Sequence, residues 1–140
     1  MADAATTEVA PGNAAEAALA FLGEMSLDLR GAAILDSDGS VLAASGDPER
    51  WAEDAAVLFT VADRAGSEAA EQIHVATEQG EVFALRHDGL AVVVVSERFA
   101  LASLMFFDMR STLRDLATAG RRADNGTLRP ENGPSTEGED

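Results

Sequence analysis

The segment Leu90-Ala-Val-Val-Val-Val95 contains no polar side chain. A strand of that kind is covered on both faces, so the chain must build a sheet with cover above and below it. A second unbroken apolar run, Gly31-Ala-Ala-Ile-Leu35, reads the same way. The other extended segments differ. Residues 72–77 alternate, with Ile73, Val75 and Thr77 on one side and His74 and Ala76 on the other, and residues 81–86 alternate again. Alternation marks strands that are half covered or close to a sheet edge.

Turn chemistry divides these runs. In Asp36-Ser-Asp-Gly39, Asp bonds its own backbone and Gly39 supplies the left-handed position, which makes residues 31–44 a hairpin with Val41–Ala44 as the returning strand. Glu78-Gln-Gly80 and His87-Asp-Gly89 fold the later residues into a three-stranded meander. Setting the last strand beside residues 31–35 gives a five-stranded antiparallel sheet of order 2-1-5-4-3.

Three helices surround it, the middle one on one face and the N- and C-terminal ones on the other, so the class is α+β. Asn13 caps the first, with Glu16 completing a capping-box pattern, and Leu19, Phe21, Leu22 and Met25 are its large apolar residues. Asp47-Pro48 opens the middle helix and Gly66 ends it. Trp51, Ala55, Leu58, Phe59 and Ala62 form its sheet-facing stripe. Val57 and Val61 form a second stripe, bordered by Asp54 and Arg64, which needs a partner of its own. The closing helix is expected over about 99–119, with Leu101, Met105, Met109, Leu113 and Leu116 on its core face and Leu104 and Phe107 turned away. The domain is therefore read as residues 13–119, preceded by a flexible arm over 1–12 and followed by a disordered acidic tail over 120–140.

Composition narrows the chemistry. The 25 acidic residues face 10 Arg and no Lys, for a net charge of −15, which disfavours nucleic acid and anionic membranes as partners. Without Cys there is no disulfide, thiolate nucleophile or zinc ribbon. No apolar run approaches the ~20 residues of a membrane span, and acid stands where a signal peptide needs base, so the expectation is a cytoplasmic protein without membrane insertion.

No motif for catalysis emerges. A phosphate-binding loop needs its Lys, and no GxGxxG follows a strand. His74 and His87 share no metal-ligand spacing. Asp36 and Asp38 resemble the start of a calcium loop but lack its later ligands, so they read as a hairpin turn. The expectation is a non-enzyme without cofactor or metal, whose function lies in its surfaces. An edge strand over 72–77 presents unpaired backbone groups, and beside it lies the second stripe of the middle helix. A second copy satisfies both, which makes the first partner the chain itself, as a homodimer.

The string Leu29-Arg-Gly-Ala-Ala-Ile-Leu-Asp-Ser-Asp-Gly-Ser-Val-Leu-Ala43, the helix after Gly46-Asp47, Glu81-Val-Phe-Ala-Leu85 with residues 90–95, and the closing helix together resemble the Roadblock/dynein light chain family. Profilin-like and longin domains share parts of the architecture. The resemblance spans residues 14–119. It implies a non-catalytic homodimeric regulator or scaffold that binds a separately encoded small Ras-like GTPase and modulates its nucleotide cycle. It also implies a dimer or partner surface from the middle helix and third strand: Trp51, Asp54, Val57, Leu58, Val61, Arg64, Ile73, His74 and Val75. Two other readings stay open, a structural adaptor subunit and a small-ligand sensor of the PAS or GAF type.

Overall fold

The computed structural model describes residues 11–128. Its elements are α1 (Pro11–Met25), β1 (Leu29–Asp36), β2 (Val41–Ala44), α2 (Pro48–Ala65), β3 (Gln72–Ala76), β4 (Glu81–His87), β5 (Leu90–Ser96) and α3 (Ala102–Leu128). The five strands form one antiparallel sheet of order β2-β1-β5-β4-β3, the α+β arrangement expected from the apolar runs.

Local chemistry explains the tight connections. The Asp36 carboxylate accepts the backbone N–H groups of Asp38 and Ser40 at 2.9 and 3.0 Å, while Gly39 takes φ +86°. Asp88 and Gly89 both have positive φ, the combination a two-residue hairpin turn requires. Asp47 caps α2 by accepting the Glu49 N–H at 3.0 Å, and Pro48 follows at the first helical position.

The sheet separates two apolar clusters. On one face Ala32, Ile34, Phe83, Leu85, Val92 and Val94 meet Ala15 and Leu22 of α1 and Met105, Met109, Leu113 and Leu116 of α3. On the other face Ala33, Leu35, Ala84, Ala91 and Val93 meet Trp51, Ala55, Leu58 and Phe59 of α2. Each fully buried large side chain stabilises the fold by about 1.5–3 kcal/mol relative to exposure. The two-sided cover explains why β5 has no polar residue before its end.

Three boundaries and one core assignment differ from the sequence reading. α1 begins at Pro11, so Asn13 lies inside the helix and does not cap it. α3 begins at Ala102 and not at 99, because Phe99 adopts φ +66° and turns the chain before the helix. Leu101 is left outside the first turn, its carbonyl accepting the Met105 N–H at 3.0 Å and its side chain 67% exposed, so it is not a core residue. At the other end α3 continues past Ala119 to Leu128, where a disordered tail was expected from 120. Gly120 costs about 1 kcal/mol in a helix interior, and Arg121, 3.6 Å from Asp88, ties the next turn to the β4–β5 hairpin. Residues 1–10 and 129–140, the remainder of the expected arm and tail, lie outside the described residues.

Candidate functional site: an uncovered groove between α2 and the sheet edge

α2 covers only part of its face of the sheet. Its backbone lies closest to β2 and β1, its side chains reach Ala84, Ala91 and Val93, and the strip toward β3 continues beyond it. A groove of about 460 Å³ opens between the helix and that strip. Val82, Val93 and Val95 make its floor, and Asp47, Arg50, Trp51, Asp54 and Leu58 make its helical wall. Val57 and Val61 continue the wall outward, 64% and 61% exposed. Ile73 and Val75 continue the floor, since Val75 pairs with Val82 and Ile73 with Ala84 on the same face. The result is an apolar trough that ends at an open strand.

Trp51 is held firmly in this wall. Its indole N–H donates to the Ser45 carbonyl at 2.6 Å. Gly31 lies beneath it: a Cβ there would stand 3.3 Å from Trp51 Cζ2 and 3.2 Å from Ser45 Oγ. The glycine makes room for the close helix–sheet approach, and its role does not rest on an unusual backbone angle.

Two polar clusters position the edge strand. The Arg86 guanidinium donates to both Asp63 carboxylate oxygens at 2.9 and 3.1 Å and to the Ala70 carbonyl at 3.0 Å, and it sits 4.1 Å over the Phe59 ring. Asp63 also accepts the Ala70 N–H at 2.9 Å, so the connector from α2 to β3 is fixed at both ends of one residue. These contacts, the Arg86 hydrogen bonds first, hold the Asp63 carboxyl below the usual carboxylate range. On the opposite face of the sheet the His74 ring stacks on Phe83, with centroids 4.3 Å apart, and bonds Glu81 at 2.8 Å.

Most of the sequence-predicted site residues come together. Trp51, Asp54 and Leu58 line the groove, Val57 and Val61 edge it, and Ile73 and Val75 extend its floor. His74 does not join them, because its register partner Phe83 points into the α1–α3 core. Arg64 is exposed in the last turn of α2. The sequence reading missed Val82, Val93 and Val95. The signal was available in the alternation of β4 and in the even-numbered offset of Val93 and Val95 along β5, but only a helix set off-centre buries Val93 while leaving Val82 and Val95 half covered.

A larger recess, about 780 Å³, lies between the two hairpin tips and the C-terminal half of α2. Two of its charged side chains, Asp63 and Arg86, are already paired with each other. Among the described residues no group of three or more His, Cys, Asp or Glu could hold a metal ion, and no helix is long and apolar enough to cross a membrane.

No protein-family model matches the sequence, and no curated protein matches it. Solved structures do match its shape. A Roadblock/LC7 domain from Streptomyces avermitilis superposes with a TM-score of 0.64 at 20% identity, over 76% of this chain and 97% of that one. MglB with a tetrameric arrangement gives 0.61 at 19% identity, over 82% and 93%. The gliding protein MglB from Thermus thermophilus gives 0.60 at 18%, over 81% and 93%. Nearly the whole length of each is matched. The chain has the Roadblock/LC7 fold.

Proposed function

We propose that this chain is a homodimeric regulatory domain that docks a small Ras-like GTPase and influences its nucleotide cycle without performing catalysis itself. The observation that carries the reading is the trough between α2 and β3, apolar along its floor and open at an unpaired strand edge. A two-fold partner would add its own β3 to that edge and lay its α2 beside Val57 and Val61, covering both at once. The fold likeness to MglB, one structure of which has a tetrameric arrangement, supports self-association. The GTPase itself comes from the resemblance to the Roadblock family and from the absence of any phosphate-binding loop in this sequence, so that nucleotide chemistry belongs to the partner.

The test has two steps. Light scattering of the purified chain should give a dimer, and Val61→Glu should give a folded monomer. GTP turnover by small Ras-like GTPases of the source cell should then change when wild-type protein is added and stay at its intrinsic rate with the Val61→Glu variant. A dimer insensitive to Val57→Glu and Val61→Glu would refute the contact. Failure of every such GTPase to bind would refute the regulatory role.

A further inference from the structure

The exposed side of α2 carries an order of charges that is complementary to its own reverse. Arg50, Asp54, Val57, Val61 and Arg64 follow one another at intervals of four and three residues, and all five are exposed. At about 100° per residue they fall within an arc of about 80°, beside the stripe of Trp51, Ala55, Leu58 and Phe59 that packs on the sheet. Alternating steps of four and three are the spacing of a seam between two packed helices. Only the centre of this seam, Val57 and Val61, is apolar. The next position on each side is charged, and the signs differ: Asp54 lies toward the start of α2 and Arg64 toward its end.

These two charges cannot serve each other within one chain. Ten residues of helix hold them about 15 Å apart along the axis. Among the described residues neither takes part in an ion pair, although Arg50 stands one turn from Asp54. Arg50 and Glu53, the charged neighbours of Asp54 on the helix, have opposite signs and offset each other.

We infer that Asp54 and Arg64 set the register in which a second copy docks, Asp54 of each chain pairing with Arg64 of the other. The two α2 helices then run antiparallel, centred on their valines. The inference rests on the homodimer proposed above and adds to it an orientation and a means of choosing the partner. Two-fold symmetry requires that a residue and its counterpart exchange roles across the contact. With Val57 facing Val61 of the second copy, a step of three residues outward on both helices sets Asp54 opposite Arg64, and symmetry repeats the pair at the other end. Other alignments are penalised. A slip that brings Val57 against Val57 sets Arg64 against Arg50 and Val61 against Glu53, and a parallel alignment opposes each charge to its own copy. A helix without this order of charges meets the same penalties, so the seam favours a second copy of this chain over a foreign surface.

Sedimentation velocity on the full-length chain tests the pairing by charge reversal. Asp54→Arg puts two like-charged contacts into its own dimer, and Arg64→Asp does the same with the opposite sign. Each variant alone should dimerise at least about tenfold more weakly than the wild type. Both positions are exposed, so circular dichroism should show both variants folded. An equimolar mixture of the two should regain dimer, because in the mixed pair the two introduced side chains face each other and so do the two native ones. If both variants dimerise as the wild type does while Val61→Glu is monomeric, the dimer stands and this register falls. A mixture as weak as its components would also overturn the register. A wild type that is monomeric at every concentration would refute both readings and leave the seam to a partner of another kind.

Discussion

His74 Nε2 and Glu81 Oε1 stand 2.8 Å apart on one face of the β3–β4 ladder, joining the outermost strand to its neighbour by side chains as well as backbone. The other carboxylate oxygen of Glu81 accepts the Phe99 N–H at 2.7 Å, at the left-handed residue that aims the chain into α3. Phe83, under the His74 ring, in turn meets Phe106 of α3 edge to face, with centroids 5.4 Å apart. Through these contacts the strand proposed to pair across the dimer is anchored to the helix layer on the far side of the sheet. A displacement of β3 would be felt at the start of α3.

This anchor makes the fold sensitive to acid. The hydrogen bond from His74, and then the Phe99 N–H, hold the Glu81 carboxyl below the range in which glutamate ordinarily titrates. Asp63 is lowered by Arg86, and Glu97 by Arg30. A carboxyl with a depressed folded-state pKa binds fewer protons in the native state than in the unfolded one. Its stabilisation is complete above the unfolded pKa and is lost as pH falls through the folded pKa. Urea midpoints should therefore hold at neutral pH and decline on acidification through and below the ordinary carboxylate range. Glu97, more than half exposed, contributes little to that decline. Glu81→Gln should lower the midpoint at neutral pH and flatten the acid limb. An acid limb parallel to that of the wild type would remove Glu81 from the account.

Gly31 and Trp51 give a second, spectroscopic prediction. The chain has one Trp, and it packs on the bare Cα of Gly31. In Gly31→Val the new side chain meets Trp51 and Ser45, so the indole must leave its place and give up its bond to the Ser45 carbonyl. Overpacking of this kind costs about 1–3 kcal/mol. The variant should unfold at lower urea and emit at longer wavelength as Trp51 moves toward solvent. Unchanged emission would mean that the wall of the groove is softer than its contacts indicate.

The strand order was legible because it rests on features with a fixed period. The unbroken apolar run of β5 demands cover on both faces, and the alternation of β3 places it at an edge. The Asp36, Asp47 and Asp88 turns and caps follow from local hydrogen bonding, which sequence displays directly. Asn13, Leu101 and the end of α3 were misread because a helix boundary is decided by contacts outside the helix. Arg121 reaches Asp88, and Phe99 turns to meet Glu81, and neither pairing is adjacent in sequence. The groove was half legible for the same reason. The exposed stripe of α2 is visible as a pattern, but the half-covered Val82 and Val95 depend on where the helix lies across the sheet.

Arg86 is expected to resist replacement by Lys. Its planar head makes two bonds to Asp63, one to the Ala70 carbonyl and a stacking contact with Phe59, and an ammonium cannot form all of these at once. Both partners are about one-third exposed, so global stability should fall only modestly. The larger effect should be local. In Arg86→Lys the Ala70 amide, which donates to Asp63, should exchange its hydrogen faster than in the wild type, and self-association through β3 should weaken with it. An Ala70 amide protected as before would show that Asp63 holds the connector without Arg86.

The backbone of β3 allows the edge to be closed without disturbing the sheet. The Arg86 N–H donates to the Glu71 carbonyl at 2.9 Å, and the Thr77 N–H donates to the Gly80 carbonyl at 2.8 Å. The register between them is unbroken, so Ile73 and Val75 also turn their backbone groups toward β4. In an antiparallel ladder alternate residues face opposite ways, which leaves the N–H groups of Gln72, His74 and Ala76 pointing out of the sheet. Proline at an outward position removes a donor that only a new strand would use, whereas proline one residue earlier breaks the existing ladder. Ala76→Pro should therefore keep the fold and lose the dimer. Val75→Pro should leave the Val82 carbonyl without its donor, at a cost of about 1–3 kcal/mol, and lower the urea midpoint. Light scattering and urea titration of the two variants together distinguish edge pairing from general destabilisation. A folded Ala76→Pro chain that remains dimeric would place the contact on α2 alone.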